Sequence, residues 1–76
     1  MRELIEFVAR SLVDDPRAVR VHERRSDSTV VYQLEVARDD VGKVIGKHGR
    51  TAHALRLLLS ASAQRQGCKA VLEIRE

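Results

Sequence analysis

Apolar positions recur along this chain with two different periods, and the changes of period mark out its elements. Between Arg2 and Val13, the residues Leu4, Ile5, Val8, Leu12 and Val13 share one side of a helical wheel with Phe7 at its border. Pro16 ends that helix after Asp14-Asp15. From Ala18 to Arg24 the period drops to two, with Val19 and Val21 to one side and Arg20 and His22 to the other, so this stretch reads as a strand. Arg25-Ser26-Asp27-Ser28 is a turn cluster. Alternation resumes from Thr29 to Ala37, where Val30, Tyr32, Leu34 and Val36 point inward and Val31, Gln33 and Glu35 outward. Asp39 to Ile45 reads as a short helix with Asp39 as its N-cap. Arg50 to about Gln66 reads as a long helix stopped by Gly67. Cys68 to Arg75 closes the chain as a strand, with Ala70, Leu72 and Ile74 inward.

The order α-β-β-α-α-β predicts an α+β fold, a three-stranded sheet with helices packed on one face and the other face polar. The 76 residues leave room for one small domain, 1–76. A hydrophobic content of 43% beside 33% charged residues fits a globular chain rather than a disordered one. Met1 to Arg10 holds no apolar core of a signal peptide, and no run reaches transmembrane length, so a cytoplasmic protein with no membrane partner is expected. The single Cys68 has no disulfide partner and no companion ligands, which suits a reducing compartment and a small apolar residue at a strand edge.

The two helices meet at Val44-Ile45-Gly46-Lys47-His48-Gly49-Arg50. Gly46 can end the first helix with φ > 0 and Gly49 can turn the chain into the second. The first turn of the long helix then offers unpaired N–H groups and a partial positive charge, to which Lys47, Arg50 and His48 add charge. That combination suits a phosphate. Three readings meet on these residues. A nucleotide-binding P-loop needs G-x-x-x-x-G-K-[ST], and Gly42-Lys43-Val44-Ile45-Gly46-Lys47-His48 is one residue short and has His48 in place of the hydroxyl. An ordinary helix–helix turn is the plain reading. The third is the GXXG loop of a KH domain, which clamps a nucleic-acid backbone.

Charge distribution bears on the choice. The net charge is +3 and the pI near 9.6, a mild pointer to nucleic acid. From Lys43 to Arg56 the chain carries Lys43, Lys47, Arg50 and Arg56 and no acid at all. His22, His48 and His53 lack the spacing and partner ligands of a metal site, and no nucleophile stands beside a base. No catalytic residue, metal or cofactor is expected, and the chain does not read as an enzyme.

The long helix carries more apolar surface than one core requires. Ala52, Leu55, Leu59 and Ser62, with Leu58 at the border, form one stripe, and Ala54, Leu57, Leu58 and Ala61 form a second. Either the core face is broad and Leu57 is incidentally exposed, or the second stripe is a helix–helix dimer seam in which the two alanines permit close approach. Leu57 projects about 160° away from Leu55 at 100° per residue.

On Val44-Ile45-Gly46-Lys47-His48-Gly49-Arg50-Thr51-Ala52, set between two helices after a strand hairpin, the chain resembles a type II KH domain, and the resemblance covers nearly its whole length. A chain of this length with this one domain is similar to the small bacterial single-KH RNA-binding proteins, the KhpA-type family. The resemblance implies single-stranded RNA as partner, self-association into a homodimer, and a heterodimer with a larger KH- and Jag-domain protein. It further implies a role as RNA chaperone or post-transcriptional regulator, linked in some bacteria to cell elongation and division. It puts Gly46, Lys47, His48 and Gly49 on the RNA backbone and Lys43 and Arg50 beside the phosphate path. Ile45, Val44 and Ala52 would form an apolar floor, and Val31 to Val36 of the second strand a far wall. Val44 and Val36 serve equally well as core. Ala52 stands where many KH domains have a larger aliphatic residue, which makes the floor smaller.

The aromatic content agrees. Phe7 and Tyr32 are the only Phe, Tyr or Trp side chains, and neither is near the loop, so the stacking platforms of RRM and OB-type domains cannot be built here. Two alternatives stay beside RNA binding: a protein-interaction adaptor that recruits through the long helix, and a ribosome-associated maturation factor.

Overall fold

The structure is a computed structural model describing residues 1–76. Its elements follow the expected order: α1 (Arg2–Leu12), β1 (Arg20–Ser26), β2 (Thr29–Glu35), α2 (Val41–Ile45), α3 (Arg50–Arg65) and β3 (Lys69–Arg75). The three strands form one sheet in the order β1-β2-β3. β1 and β2 pair antiparallel, from Arg20 opposite Glu35 to Ser26 opposite Thr29. β2 and β3 pair parallel, from Thr29 beside Lys69 to Glu35 beside Arg75. The two helices between β2 and β3 make the crossover that a parallel pair requires.

The helices cover one face. Ile5 and Ala9 of α1, Val44 of α2, and Leu55 and Leu59 of α3 cluster with Val30, Tyr32, Leu34, Val36 and Leu72 from the sheet side. Period-two alternation in β2 therefore reads true: Val30, Tyr32 and Leu34 are buried while their neighbours are half-buried. Val36 and Val44, open between core and groove in the sequence, belong to the core at 3% and 0% exposure.

Four local differences have physical reasons. The first turn cluster begins later than expected, because β1 continues through Arg25 and Ser26 and the hairpin closes over Asp27 and Ser28 alone. Asp27 takes a positive φ of 52°, which a two-residue hairpin turn asks of its first central position and which Asp tolerates. On α1, burial centres on Ile5 and Ala9, where small Ala9 permits close approach to the core. Leu4, Leu12 and Phe7 consequently stay at the surface, Phe7 at 71% exposure. In α3, Ala63 rather than Ser62 completes the buried stripe with Ala52, Leu55 and Leu59. The helix closes as a Schellman motif, with the Cys68 N–H donating to the Ala63 carbonyl and Gly67 to Gln64.

The fourth difference matters most for the site. Asp39 does not cap the short helix. Arg38–Asp40 forms a tight turn of its own, and α2 begins at Val41. Asp40, 2% exposed, turns its carboxylate away from α2's own N–H groups toward the end of α1.

Candidate nucleic-acid interface

α2 is a single turn, too short to hold its place by propensity, so tertiary contacts must anchor it. Asp40 supplies the anchor. Its carboxylate accepts the N–H groups of Asp14 (3.2 Å) and Asp15 (3.1 Å), and the ammonium of Lys43 at 3.0 Å. Lys43 also reaches Asp14 at 2.9 Å. The hydrogen bond from Lys43, helped by the two backbone donors, holds the Asp40 carboxyl below its usual range despite burial. The carboxylates of Asp14 and then Asp40 push the Lys43 ammonium up in return. This cluster ties the end of α1 to the start of α2 and so fixes the helix that leads into the glycine loop.

Beyond it the chain opens. The Gly46 N–H closes α2 onto the Gly42 carbonyl at 2.9 Å, and the Gly49 N–H returns to the Gly46 carbonyl at 3.0 Å. Gly46 has φ 81° and Gly49 φ 74°. At Gly46 a Cβ would collide with Thr51, standing 2.9 Å from its Cβ as well as against its hydroxyl, so both backbone angle and space demand glycine. At Gly49 space is free and only the angle does. His48 shares the left-handed region, φ 57°, which costs an L-residue energy but is populated by His more than by most. Lys47, His48 and Arg50 are exposed, and none of them is ion-paired or hydrogen-bonded through its side chain. They stand at the N-terminus of α3, a sixteen-residue helix whose partial positive end adds to theirs.

The structure thus brings together Gly46, Lys47, His48, Gly49 and Arg50 on one exposed turn, with Ile45, 37% exposed, beside it. Lys43 is placed differently, its ammonium occupied by two carboxylates. Of the expected floor, Val44 and Ala52 are buried and Ile45 alone is open. The expected far wall is corrected outright. β2 is the central strand, hydrogen-bonded on both edges, and has no backbone to offer. The free edge on the α3 side belongs to β3. There Arg56 donates from Nε (3.4 Å) and from its terminal nitrogen (3.3 Å) to the Leu72 carbonyl. Arg56 stood out in the sequence only as one cation of a basic run, with nothing to say that it reaches a strand edge.

α3 and β3 run in opposite directions and are of similar length, about 24 Å and about 23 Å. The end of β3 at Arg75 therefore lies level with the loop. On the outer side of α3, Ala54, Leu57, Leu58 and Ala61 are all exposed, Leu57 at 59% and Leu58 at 55%. The core has no use for Leu57 or Leu58. No helix is long and apolar enough to cross a membrane, and no group of three His, Cys, Asp or Glu residues could hold a metal.

Comparison with known proteins agrees with this geometry. No solved structure matches the chain. An RNA-binding protein KhpA of Treponema pallidum is 54% identical over 72 residues, covering 95% of this chain and 90% of that protein. Those of Clostridium perfringens and Chlamydia pneumoniae are 45% identical over 74 residues and 43% over 76. They are covered to 99% and 97% of their lengths, with 97% and 100% of this chain. The family described as KhpA/KhpB, KH domain, matches residues 2–74, and the chain belongs to that family.

Proposed function

We propose that this chain is a non-catalytic single-stranded RNA-binding domain that grips the sugar–phosphate backbone across Gly46–Gly49. One observation carries the reading: Lys47 and Arg50 are exposed, unpaired cations on a turn whose two glycines let a backbone approach, at the positive end of α3. Relatives covered over nearly their whole length are named RNA-binding proteins, which supports it. With Ile45 the only open floor residue, contacts to bases are few. Affinity is accordingly salt-dependent and tolerant of sequence, and a duplex binds less well than a single strand.

The working form is a homodimer joined through Ala54, Leu57, Leu58 and Ala61. That stripe faces away from the sheet, and pairing would bury two leucines per subunit, each worth roughly 1.5–3 kcal/mol. A second KH-domain chain could occupy the same stripe.

Charge reversal of the loop tests the RNA reading. In Lys47→Asp/His48→Asp both glycines stay, and Asp tolerates the left-handed angle at position 48. Fluorescence anisotropy should show single-stranded RNA binding lost, with circular dichroism unchanged; parental affinity in that variant would refute the loop assignment. Sedimentation tests the seam: Leu57→Asp should turn a dimer into a folded monomer, and a parent already monomeric at high micromolar concentration would have no seam to break.

A further inference from the structure

The outward residues of β1 find no use in that function. Arg20, His22 and Arg24 stand at alternate positions on the sheet face that the helices leave bare. Register sets Arg24 opposite Val31, His22 opposite Gln33, and Arg20 opposite Glu35, with Arg75 of β3 on the other side of Glu35. An open cavity of about 640 Å³ borders this face: beside His22, Arg24, Gln33, Glu35 and Arg75 it is lined by Val21 and Glu23 from the other side of β1 and by Arg2 of α1. Arg2, Arg24 and Arg75 make no ion pair. The acids nearby are partly engaged: Gln33 donates to Glu73 at 2.9 Å, and Arg25 pairs with Glu23 at 3.0 Å. Glu35 remains as the one lining carboxylate without a partner. Arg20 is fixed in place by bonds to the carbonyls of Arg17 (2.8 Å) and Val19 (2.9 Å), which leave its full charge on that row.

We propose that this sheet face is a second contact surface for the RNA backbone, taking the strand as it leaves the glycine loop. The inference rests on the RNA reading above and extends it. Three arguments favour a phosphate chain over an acidic protein. Along β1 the Arg20 and Arg24 positions stand about 13 Å apart with the polar His22 between them, and Arg75 adds a third cation across the sheet, a spaced set suited to a regularly charged polymer. The only apolar side chains on the face are half-buried Val31 and exposed Val71, too little for the dry centre of a protein interface. Exposed charge also stands between the two surfaces. Arg75 lies level with the loop, and Arg38, exposed and unpaired, stands in the connection between β2 and α2. A dimer joined through the outer side of α3 leaves this face open on both subunits.

The test compares short and long single strands. Arg24→Gln/Arg75→Gln removes two exposed guanidinium groups that bond to nothing, so the fold should hold, as thermal unfolding will show. Labelled oligouridylates of four and twelve nucleotides are titrated at several salt concentrations. The four-mer, filling only the loop groove, should bind variant and parent alike. For the twelve-mer, the variant should lose about tenfold in affinity, and its slope of log K against log salt should be shallower by about 1.4, two contacts at about 0.7 each. Arg24→Lys/Arg75→Lys should restore most of both. Unchanged affinity and slope for the twelve-mer would overturn the proposal and give the face to solvent or to an acidic protein. Equal loss for both lengths would also overturn it, by placing these arginines in the loop groove. A parent that binds neither length removes the RNA reading itself, and this extension with it.

Discussion

Lys43 and Lys47 are one helical turn apart in sequence and live in opposite environments. Lys43 is clamped in a knot with Asp14 and Asp40, its ammonium paired with two carboxylates of which only Asp40's is buried. Lys47 is exposed on a turn held by two backbone hydrogen bonds and carries its charge unopposed. The comparison separates two jobs that a basic stretch conceals. One cation holds the platform still, and the other is available to a ligand because the platform is held. An exposed cation on a loose loop would lose conformational entropy on binding, whereas here the knot at the base of α2 has already restricted it.

The sharpest test of that division exchanges the two lysines' fates. Lys47→Met should weaken single-stranded RNA binding several-fold and flatten its salt dependence by about 0.7, the share of one phosphate contact, with the melting temperature unmoved. Lys43→Met should do the reverse, lowering the melting temperature by several degrees while RNA affinity changes less than twofold. Equal effects on binding would place Lys43 on the phosphate path after all.

A smaller effect is expected from pH. The folded Asp40 carboxyl sits below the ordinary 3.8, so the stability it contributes is present above that value and lost as pH falls through the folded pKa. The folded Lys43 ammonium sits above 10.5, so its contribution is full below that value and lost as pH rises through the folded pKa. Melting curves of the parent and Asp40→Asn should differ by a constant amount across the neutral range and converge below pH 4. A gap that does not narrow as the pH is lowered would mean that the carboxylate's charge is not what ties α1 to α2.

The smallest expected change concerns the open side. His48 holds φ 57° without a bond to reward it. His48→Gly should relieve that strain and raise stability by up to about 1 kcal/mol, read as a higher melting temperature. No gain would show that the loop relaxes freely, contrary to the rigidity argued above.

The sequence made the loop and the periods of its flanking elements legible because those signals are local. Gly46 and Gly49 announce their angles, and Val30, Tyr32 and Leu34 announce their face. The stripe Ala54, Leu57, Leu58 and Ala61 was visible for the same reason, since a single helix wheel suffices to place it. What remained hidden depends on residues far apart in the chain. Asp40 bonds to Asp14 and Asp15, 26 and 25 positions away, and no pattern around Asp39-Asp40 distinguishes that reach from a cap. Sheet order was hidden likewise. Alternation in the second strand is the same whether it lies at the edge or in the centre, so the groove's wall was assigned to β2 when the free edge belongs to β3.

The parallel pairing of β2 with β3 also sets the order in which this molecule can assemble. The β1–β2 hairpin closes over two residues and can form within microseconds. Thr29 meets Lys69 forty positions later in the chain, and the entire helix–glycine loop–helix unit lies inside the loop that this meeting closes. Helices α2 and α3 must therefore be tethered at both ends before they are pressed onto the sheet, and the entropy of that long closure is spent ahead of the contacts that reward it. During refolding, protection of backbone amides should come first in β1 and β2, and the glycine loop should gain its shape only as β3 docks. A nascent chain still lacking its last seven or so residues would carry every residue of the loop and yet have no place to hold it.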